Sequence, residues 1–184
     1  MNKIKGFKKT FILGGTRSGK SNFALEKANQ AAGLKAFIAT GQPLDSEMKK
    51  RIEQHKLQRG CGWRTYEEPI DVSEVLFEIA HRYQVIILDC LTLWINNLMA
   101  NEHIVNIEER FLLLKETLEN LNQQKGQDIT RIYIISNEVG MGIVPENPLT
   151  RRFRDLAGSL NKMVAKVADE VYLIYAGLPL LLKG

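Results

Sequence analysis

The stretch Gly14-Gly15-Thr16-Arg17-Ser18-Gly19-Lys20-Ser21 fits the pattern G-x-x-x-x-G-K-[ST] without a mismatch. Few short motifs restrict a fold so strongly. The pattern works only where a strand runs into a glycine loop and the loop opens a helix. Both neighbours agree: Thr10-Phe11-Ile12-Leu13 is a short apolar strand candidate, and Asn22 to Ala28 is rich in helix formers. Gly14 and Gly19 free the backbone to curl so that its N–H groups point inward as a nest for phosphate oxygens. The helix that follows adds its unpaired N–H groups and its positive dipole end. Lys20 would reach the β- and γ-phosphates, and the Ser21 hydroxyl would ligate Mg²⁺.

Strand and helix patterns alternate through the rest of the chain. After the first strand, Lys20 to Ala32 reads as a helix stopped by Gly33, and Lys35–Thr40 as a second strand. Asp45 or Ser46 caps a helix running to about Gln58, on which Arg51, His55 and Arg59 share one face at i, i+4 spacing. Trp63–Tyr66 is a short strand, and Asp71 or Ser73 caps the next helix. Val85-Ile86-Ile87-Leu88 is a continuous apolar run, as a strand covered on both faces requires, and Asp89 ends it. Helices follow at Leu91–Met99 and Ile107–Leu121, then a strand at Arg131–Ser136. A loop from Asn137 to Pro148 leads into a helix from Leu149 to Ala168, a strand at Glu170–Tyr175 and an edge strand at Leu178–Leu182. This order predicts an α/β fold with a mainly parallel sheet and an antiparallel edge strand, in one domain over residues 1–184. Residues 1–9, a basic extension, are expected to fray. Right-handed crossovers place the P-loop, Thr40-Gly41, Asp89 and Asn137-Glu138 on one rim.

Composition excludes more than it identifies. A net charge of +4 with scattered basic residues does not indicate nucleic-acid binding. Cys61 and Cys90 lack metal spacing and read as free thiols in a reducing compartment. No apolar run reaches the ~20 residues of a membrane span, and no leader is visible, so the expected location is cytoplasmic.

Three features carry chemistry beyond the P-loop. Asp89 at a strand end reads as a Mg²⁺ holder, directly or through water, or as an N-cap for Leu91 onward. His55 reads as a solvated helix residue or as a nucleophile, because neutral imidazole can attack phosphorus. Arg51, Lys56 and Arg59 around it would keep it neutral and could hold phosphates. The loop after Asn137 is too long and particular for a plain connection. The helix behind it begins with Arg151, Arg152 and Arg154, which suggests an anionic partner or a solvated face. His81, His103, Trp63, Trp94 and Cys61 are assigned no chemistry.

The segments GGTRSGKS, FIATGQPLDSEMKKRIEQHK, GWRTYEEP, ILDCLTLWINNLM and NEVGMGIVPENPLTRRFRDLAGSLNKMVAKVADEVYLIYAGLP together resemble the bifunctional adenosylcobinamide kinase/adenosylcobinamide-phosphate guanylyltransferases of cobalamin biosynthesis. The likeness runs from Phe11 to Lys183. It implies phosphorylation of adenosylcobinamide by ATP or GTP. It also implies GMP transfer from GTP to adenosylcobinamide phosphate through a GMP–histidine intermediate, giving adenosylcobinamide-GDP. The family's nucleophile falls on His55. Its nucleotide-binding segments fall on Gly14 to Ser21, Ala39-Thr40-Gly41, Lys56-Leu57-Gln58-Arg59, Glu67 and Asp89, with Lys20 catalytic and Mg²⁺ on Ser21 and Asp89. The resemblance further implies a RecA-like P-loop NTPase three-layer sandwich and a homotrimer. From the residues alone two rivals stay open: a kinase of another small molecule with His55 a bystander, and a nucleotide-dependent regulatory protein without transfer chemistry.

Overall fold

The computed structural model of the protein describes residues 6–121 and 129–184. Its elements follow the chain as β1 (Gly6–Gly14), α1 (Lys20–Asn29), β2 (Lys35–Ala39), α2 (Ser46–Arg59), β3 (Trp63–Glu67), α3 (Val72–Ile79) and β4 (Val85–Asp89). Then come α4 (Leu91–Ala100), α5 (Ile107–Asn120), β5 (Ile129–Asn137), α6 (Pro148–Val167), β6 (Glu170–Tyr175) and β7 (Leu178–Lys183). They form a seven-stranded sheet in the order β3-β2-β4-β5-β1-β6-β7. Every pairing is parallel except β6 with β7.

The sheet is covered on both faces, which is why β4 is apolar up to its last residue, Asp89. Side chains of β4 alternate between two cores. Ile86 and Leu88 join Leu76, Trp94, Leu114 and Leu160 of α3–α6 on one face. Val85 and Ile87 join Ala24 and Ala28 of α1, with Ile12, Phe37 and Ile135, on the other. The small alanines let α1 lie close to the sheet, so the P-loop that precedes it is held tightly over the strand ends. Helix α2 belongs to neither core, and only Arg59 on it is buried.

Two boundaries differ from the sequence reading by three residues or more. The first strand begins at Gly6, not Thr10, so residues 6–9 are not a frayed extension. The rest of that expectation, residues 1–5, lies outside the described residues. The cause is Lys9, which is buried and whose Nζ donates to Leu118 O at 3.0 Å and Leu121 O at 2.9 Å, capping the C-terminal end of α5. Helix α1 ends at Asn29 rather than Ala32, and Gly33, at φ 102°, instead packs against the Gln84 side chain. Helix α3 starts after Asp71, the first of the two expected cap positions, although the Asp71 side chain makes no capping bond; Ser73 is buried inside the helix.

Candidate functional site

The strand ends set the frame. In register, Glu67, Ala39 and Asp89 lie side by side on β3, β2 and β4, with Ile135 of β5 next to Asp89. Across the other side of β5, Asn137, Gly14 and Ile174 align on β5, β1 and β6. Strand β5 thus separates the strand that feeds the P-loop from the strand that ends in Asp89.

The P-loop leaves this rim through two glycines, one where a side chain would clash and one where it would strain the backbone. A Cβ on Gly14 would sit 2.4 Å from the Ile174 carbonyl oxygen, and Gly19 has φ 98° as it opens α1. Gly15, Thr16 and Arg17 form an exposed crest. The Ser18 Oγ is buried and has no hydrogen-bond partner among the described residues. Lys20 is buried, and its Nζ donates to Gly15 O at 2.6 Å across the loop. Burial holds its pKa below the usual lysine range, against the opposing pull of Cys90 and Asp89.

The Ser21 hydroxyl donates to Asp89 Oδ2 at 2.9 Å. Burial pushes the Asp89 carboxyl up from its ordinary range, while the Ser21 bond and the charges of His55, Lys20 and Arg51 pull it down. The oxygen pair is hard and lies at the foot of the phosphate cradle, which suits Mg²⁺; that ion commonly takes one or two protein ligands and completes its shell with water and phosphate. Among the described residues no group of three or more His, Cys, Asp or Glu side chains gathers as a metal cage.

Asp89 is braced from behind. The peptide that joins it to Cys90 is cis. The buried Thr40 Oγ1 donates to Cys90 O at 2.8 Å and accepts from Cys90 N at 2.9 Å. Asn97 Nδ2 donates to Thr40 O at 2.7 Å, and Asn137 Nδ2 donates to Thr92 Oγ1 at 2.7 Å. Thr92 and Asn97 were not among the sequence candidates. An asparagine on the buried face of an apolar helix needs a polar partner, and that was the available signal. The Cys90 thiol is pushed up to about 11 by burial, so it is no nucleophile near neutrality. Cys61 is a free, exposed thiol, and His81 and His103 are exposed.

Helix α2 brings its charged face over Asp89. The Asp45 carboxylate caps it by accepting from Met48 N at 2.7 Å. At its far end the Arg59 guanidinium lies 3.7 Å from the centroid of the Phe37 ring, on which it stacks. Between these anchors His55 is half-buried. Burial lowers its pKa, the Asp89 charge opposes, and Arg51 and Arg59 lower it further. His55 and Arg51 therefore lie within electrostatic reach of Asp89, and Arg51 also within reach of Lys20. Lys56 Nζ meets Glu67 Oε1 at 2.5 Å, joining two expected nucleotide contacts to each other. Leu57 is 82% exposed on the opposite side of α2 from His55, and Gln58 is exposed, so the fold does not bring Leu57 to the rim.

The arginines of α6 do something the sequence did not suggest. Arg154 donates to Ile143 O at 3.2 Å and Gly140 O at 3.0 Å, and Arg151 to Pro145 O at 3.0 Å and Glu146 O at 2.6 Å. Arg152 pairs with Glu102 at 2.5 Å. These cations hold the loop after β5 and pair with a neighbouring helix end, so donors that the sequence offered to an anionic partner or to solvent are engaged within the chain.

The family model described as cobinamide kinase / cobinamide phosphate guanyltransferase matches residues 10–182. The bifunctional adenosylcobalamin biosynthesis protein CobP of Pseudomonas aeruginosa is 40% identical over 94% of this chain and 96% of its own length. The corresponding CobU proteins of Salmonella typhimurium and Escherichia coli are 35% and 33% identical, each over 94% of this chain and 98% of their own. Among solved structures, two type III secretion ATPases share the fold. One, from pathogenic bacteria, has a TM-score of 0.57 at 11% identity, over 90% of this chain and 50% of its own. EscN of enteropathogenic E. coli has 0.58 at 13% identity, over 92% of this chain and 43% of its own. The chain therefore shares the α/β fold of these proteins.

Proposed function

This chain belongs to the cobinamide kinase / cobinamide phosphate guanyltransferase family, and on that premise we propose that one rim, formed by the P-loop, Asp89 and α2, carries both of its reactions. In the kinase step ATP or GTP phosphorylates the aminopropanol hydroxyl of adenosylcobinamide. In the second step GTP supplies GMP to adenosylcobinamide phosphate, giving adenosylcobinamide-GDP.

The observation that carries this reading is His55 on the face of α2 that shares its electrostatic field with Asp89, Arg51 and Arg59. A half-buried imidazole kept neutral by its surroundings is available as a nucleophile. Its ring nitrogen attacks the α-phosphorus of GTP. The N–P bond forms as the bond to the bridging oxygen breaks, and pyrophosphate leaves with that oxygen. A phosphate oxygen of adenosylcobinamide phosphate then attacks the same phosphorus. The N–P bond breaks and the imidazole is restored.

The other residues take roles that fit their positions. Backbone N–H groups of Gly14 to Ser21 cradle the phosphates, and the orphan Ser18 hydroxyl gains an acceptor there. Lys20 leaves the Gly15 carbonyl for the β- and γ-phosphates. Arg51 and Arg59 offer charge to the departing pyrophosphate. Ser21 and Asp89 would hold Mg²⁺, which when bound neutralises charge on the phosphate oxygens. Glu67, next in register to Ala39, would accept from guanine N–H groups once Lys56 releases it. Ala39 and Gly41 flank the same side of the nucleotide, whereas Thr40 between them is buried and engaged with Cys90 and Asn97, and acts from behind rather than by contact.

A homotrimer and a cytoplasmic location complete the proposal. Among the described residues no helix is long and apolar enough to cross a membrane. Strand β7 leaves one edge open at the end of the sheet and exposes Leu180, Leu181 and Leu182, a surface suited to contact between copies.

The test is covalent labelling. GTP labelled at the α-phosphate should leave acid-labile label on His55 in the wild-type protein and none in His55→Ala, which should still phosphorylate adenosylcobinamide. A wild-type protein that accumulates no label, or a His55→Ala variant that still transfers GMP, refutes the proposal.

A further inference from the structure

The loop between β5 and α6 combines two properties that rarely occur together. Its backbone is tied down at many points. Glu138 N donates to Gly14 O at 3.0 Å, Gly140 N to Glu138 Oε1 at 2.6 Å, and Arg151 and Arg154 hold carbonyls at Gly140, Ile143, Pro145 and Glu146. Asn147 Oδ1 closes the segment by accepting from Leu149 N at 2.8 Å and Thr150 N at 3.2 Å. Yet past Val139, which packs against the core, its apolar side chains face outward: Ile143 is 95% exposed, Met141 77% and Val144 64%, joined by Leu149 of the first turn of α6 at 62%. A loop ordered only for stability would bury these groups or replace them with polar ones. Ordering the backbone so firmly while presenting apolar side chains is the arrangement of a binding surface.

Its position selects the occupant. The loop springs from β5, the strand between the P-loop strand and the Asp89 strand, and its first amide is bonded to the P-loop's first residue. Whatever lies on it lies beside the phosphates. The nucleotide is served by charged groups on the P-loop and α2, and an apolar shelf has nothing to offer a triphosphate. The second reactant does need one, since a corrin is a broad macrocycle with apolar faces fringed by amides, carrying its reactive group on a flexible arm.

We propose that Met141, Ile143, Val144 and Leu149 form the shelf on which the corrinoid acceptor rests, so that its hydroxyl or phosphate arm reaches the nucleotide over the P-loop. This rests on the guanylyltransferase reading above. The arginine clamps of α6 act as positioning residues that keep the shelf in place.

The two half-reactions of that reading provide the test, because the first needs no corrinoid. The variants are Ile143→Asn, Met141→Ser/Ile143→Asn and the conservative Ile143→Leu. The probes are α-labelled GTP alone and α-labelled GTP with adenosylcobinamide phosphate. Labelling of His55 without acceptor should stay within about twofold of wild type in all three. The KM for the acceptor should rise about tenfold or more in the two polar variants, as loss of a large apolar contact predicts, with kcat little changed and Ile143→Leu near wild type. An unchanged acceptor KM in the double variant overturns the proposal. So does a change in assembly mass by light scattering, which would make the loop a contact between copies. If the wild-type protein takes no label on His55, the guanylyltransferase reading itself has failed, and the shelf falls with it.

Discussion

Replacing Thr40 by valine tests the brace behind Asp89. The hydroxyl is buried and bonds Cys90 twice, donating to its carbonyl at 2.8 Å and accepting from its amide at 2.9 Å. Valine has nearly the same shape and neither bond. The Cys90 carbonyl keeps a partner, since Trp94 N also donates to it at 3.1 Å, but the Cys90 amide is left buried and unpaired. An unsatisfied buried N–H costs about 1–3 kcal/mol, and the lost bond to the carbonyl about 0.5–1.5 kcal/mol. The total, about 2–4 kcal/mol, should lower Tm by about 5–15 °C for a domain of this size. Thr40→Ser keeps the hydroxyl and loses one methyl, at about 1 kcal/mol. Because Cys90 follows Asp89, the valine variant should also bind Mg²⁺–GTP about 10–100-fold more weakly, as removal of groups that orient metal ligands does. Thermal melts followed by circular dichroism, with Mg²⁺ titrations of GTP binding, measure both effects. If valine melts within about 2 °C of wild type, or no lower than serine, the two bonds contribute nothing and the reasoning is wrong.

Three other perturbations follow from the charges at the rim. His55 has a folded pKa below its ordinary 6.5, mainly through burial, so its reactive neutral form should persist below that pH. The acid limb of the His55-labelling rate should therefore have its midpoint under 6.5, and Arg51→Gln should move it upward; a midpoint above 6.5 in the wild type contradicts this. The same shift means that the unfolded chain takes up His55's proton first as pH falls, so acidification through the unfolded pKa lowers stability, and His55→Gln should flatten that slope in urea melts. Asp89 runs the other way. Its folded pKa is raised, so its ionised form costs stability at neutral pH, a cost that disappears as pH falls through the raised value. Asp89→Asn should raise Tm in the absence of Mg²⁺ and weaken Mg²⁺ binding about 10–100-fold, read by calorimetry. Finally, Arg154→Ala removes both of that residue's carbonyl clamps; the loss is about 1 kcal/mol for a partly exposed group, and it should speed limited proteolysis within residues 140–147 with little change in Tm.

The fold was legible because apolar runs and glycines reported it directly. Val85 to Leu88 reads as a doubly covered strand, and its side chains do divide between the two cores. Reading failed where a polar group served the interior. The lysines before Phe11 look like a solvated tail, and nothing local says that Lys9 turns inward to cap a helix some 110 positions away along the chain. A lysine can do this because its stem is apolar and its ammonium meets carbonyls that α5 leaves unpaired. Burial still lowers its pKa, with Asp169 and Glu119 opposing, which marks how far from water the charge has been taken.

The site divides in the same way. Spacing alone put Arg51, His55 and Arg59 on one face, and the fold turns that face toward Asp89. What spacing could not say is which cations are free to meet an anion. Of the basic residues near the rim, Arg151 and Arg154 spend their donors on loop carbonyls, Arg152 on Glu102 and Lys56 on Glu67. The positive charge that remains available to a triphosphate is then Arg17, Lys20, Arg51 and Arg59, and it sits on two elements, the P-loop and α2. Only one of these is pinned into a core. Arg59 is held by the Phe37 ring, while Arg51 lies a helical distance away on the exposed part of α2. A phosphate bound between Lys20 and Arg51 would therefore tie α2 to the P-loop, and that bond, rather than apolar packing, would fix the distance from His55 to the α-phosphorus.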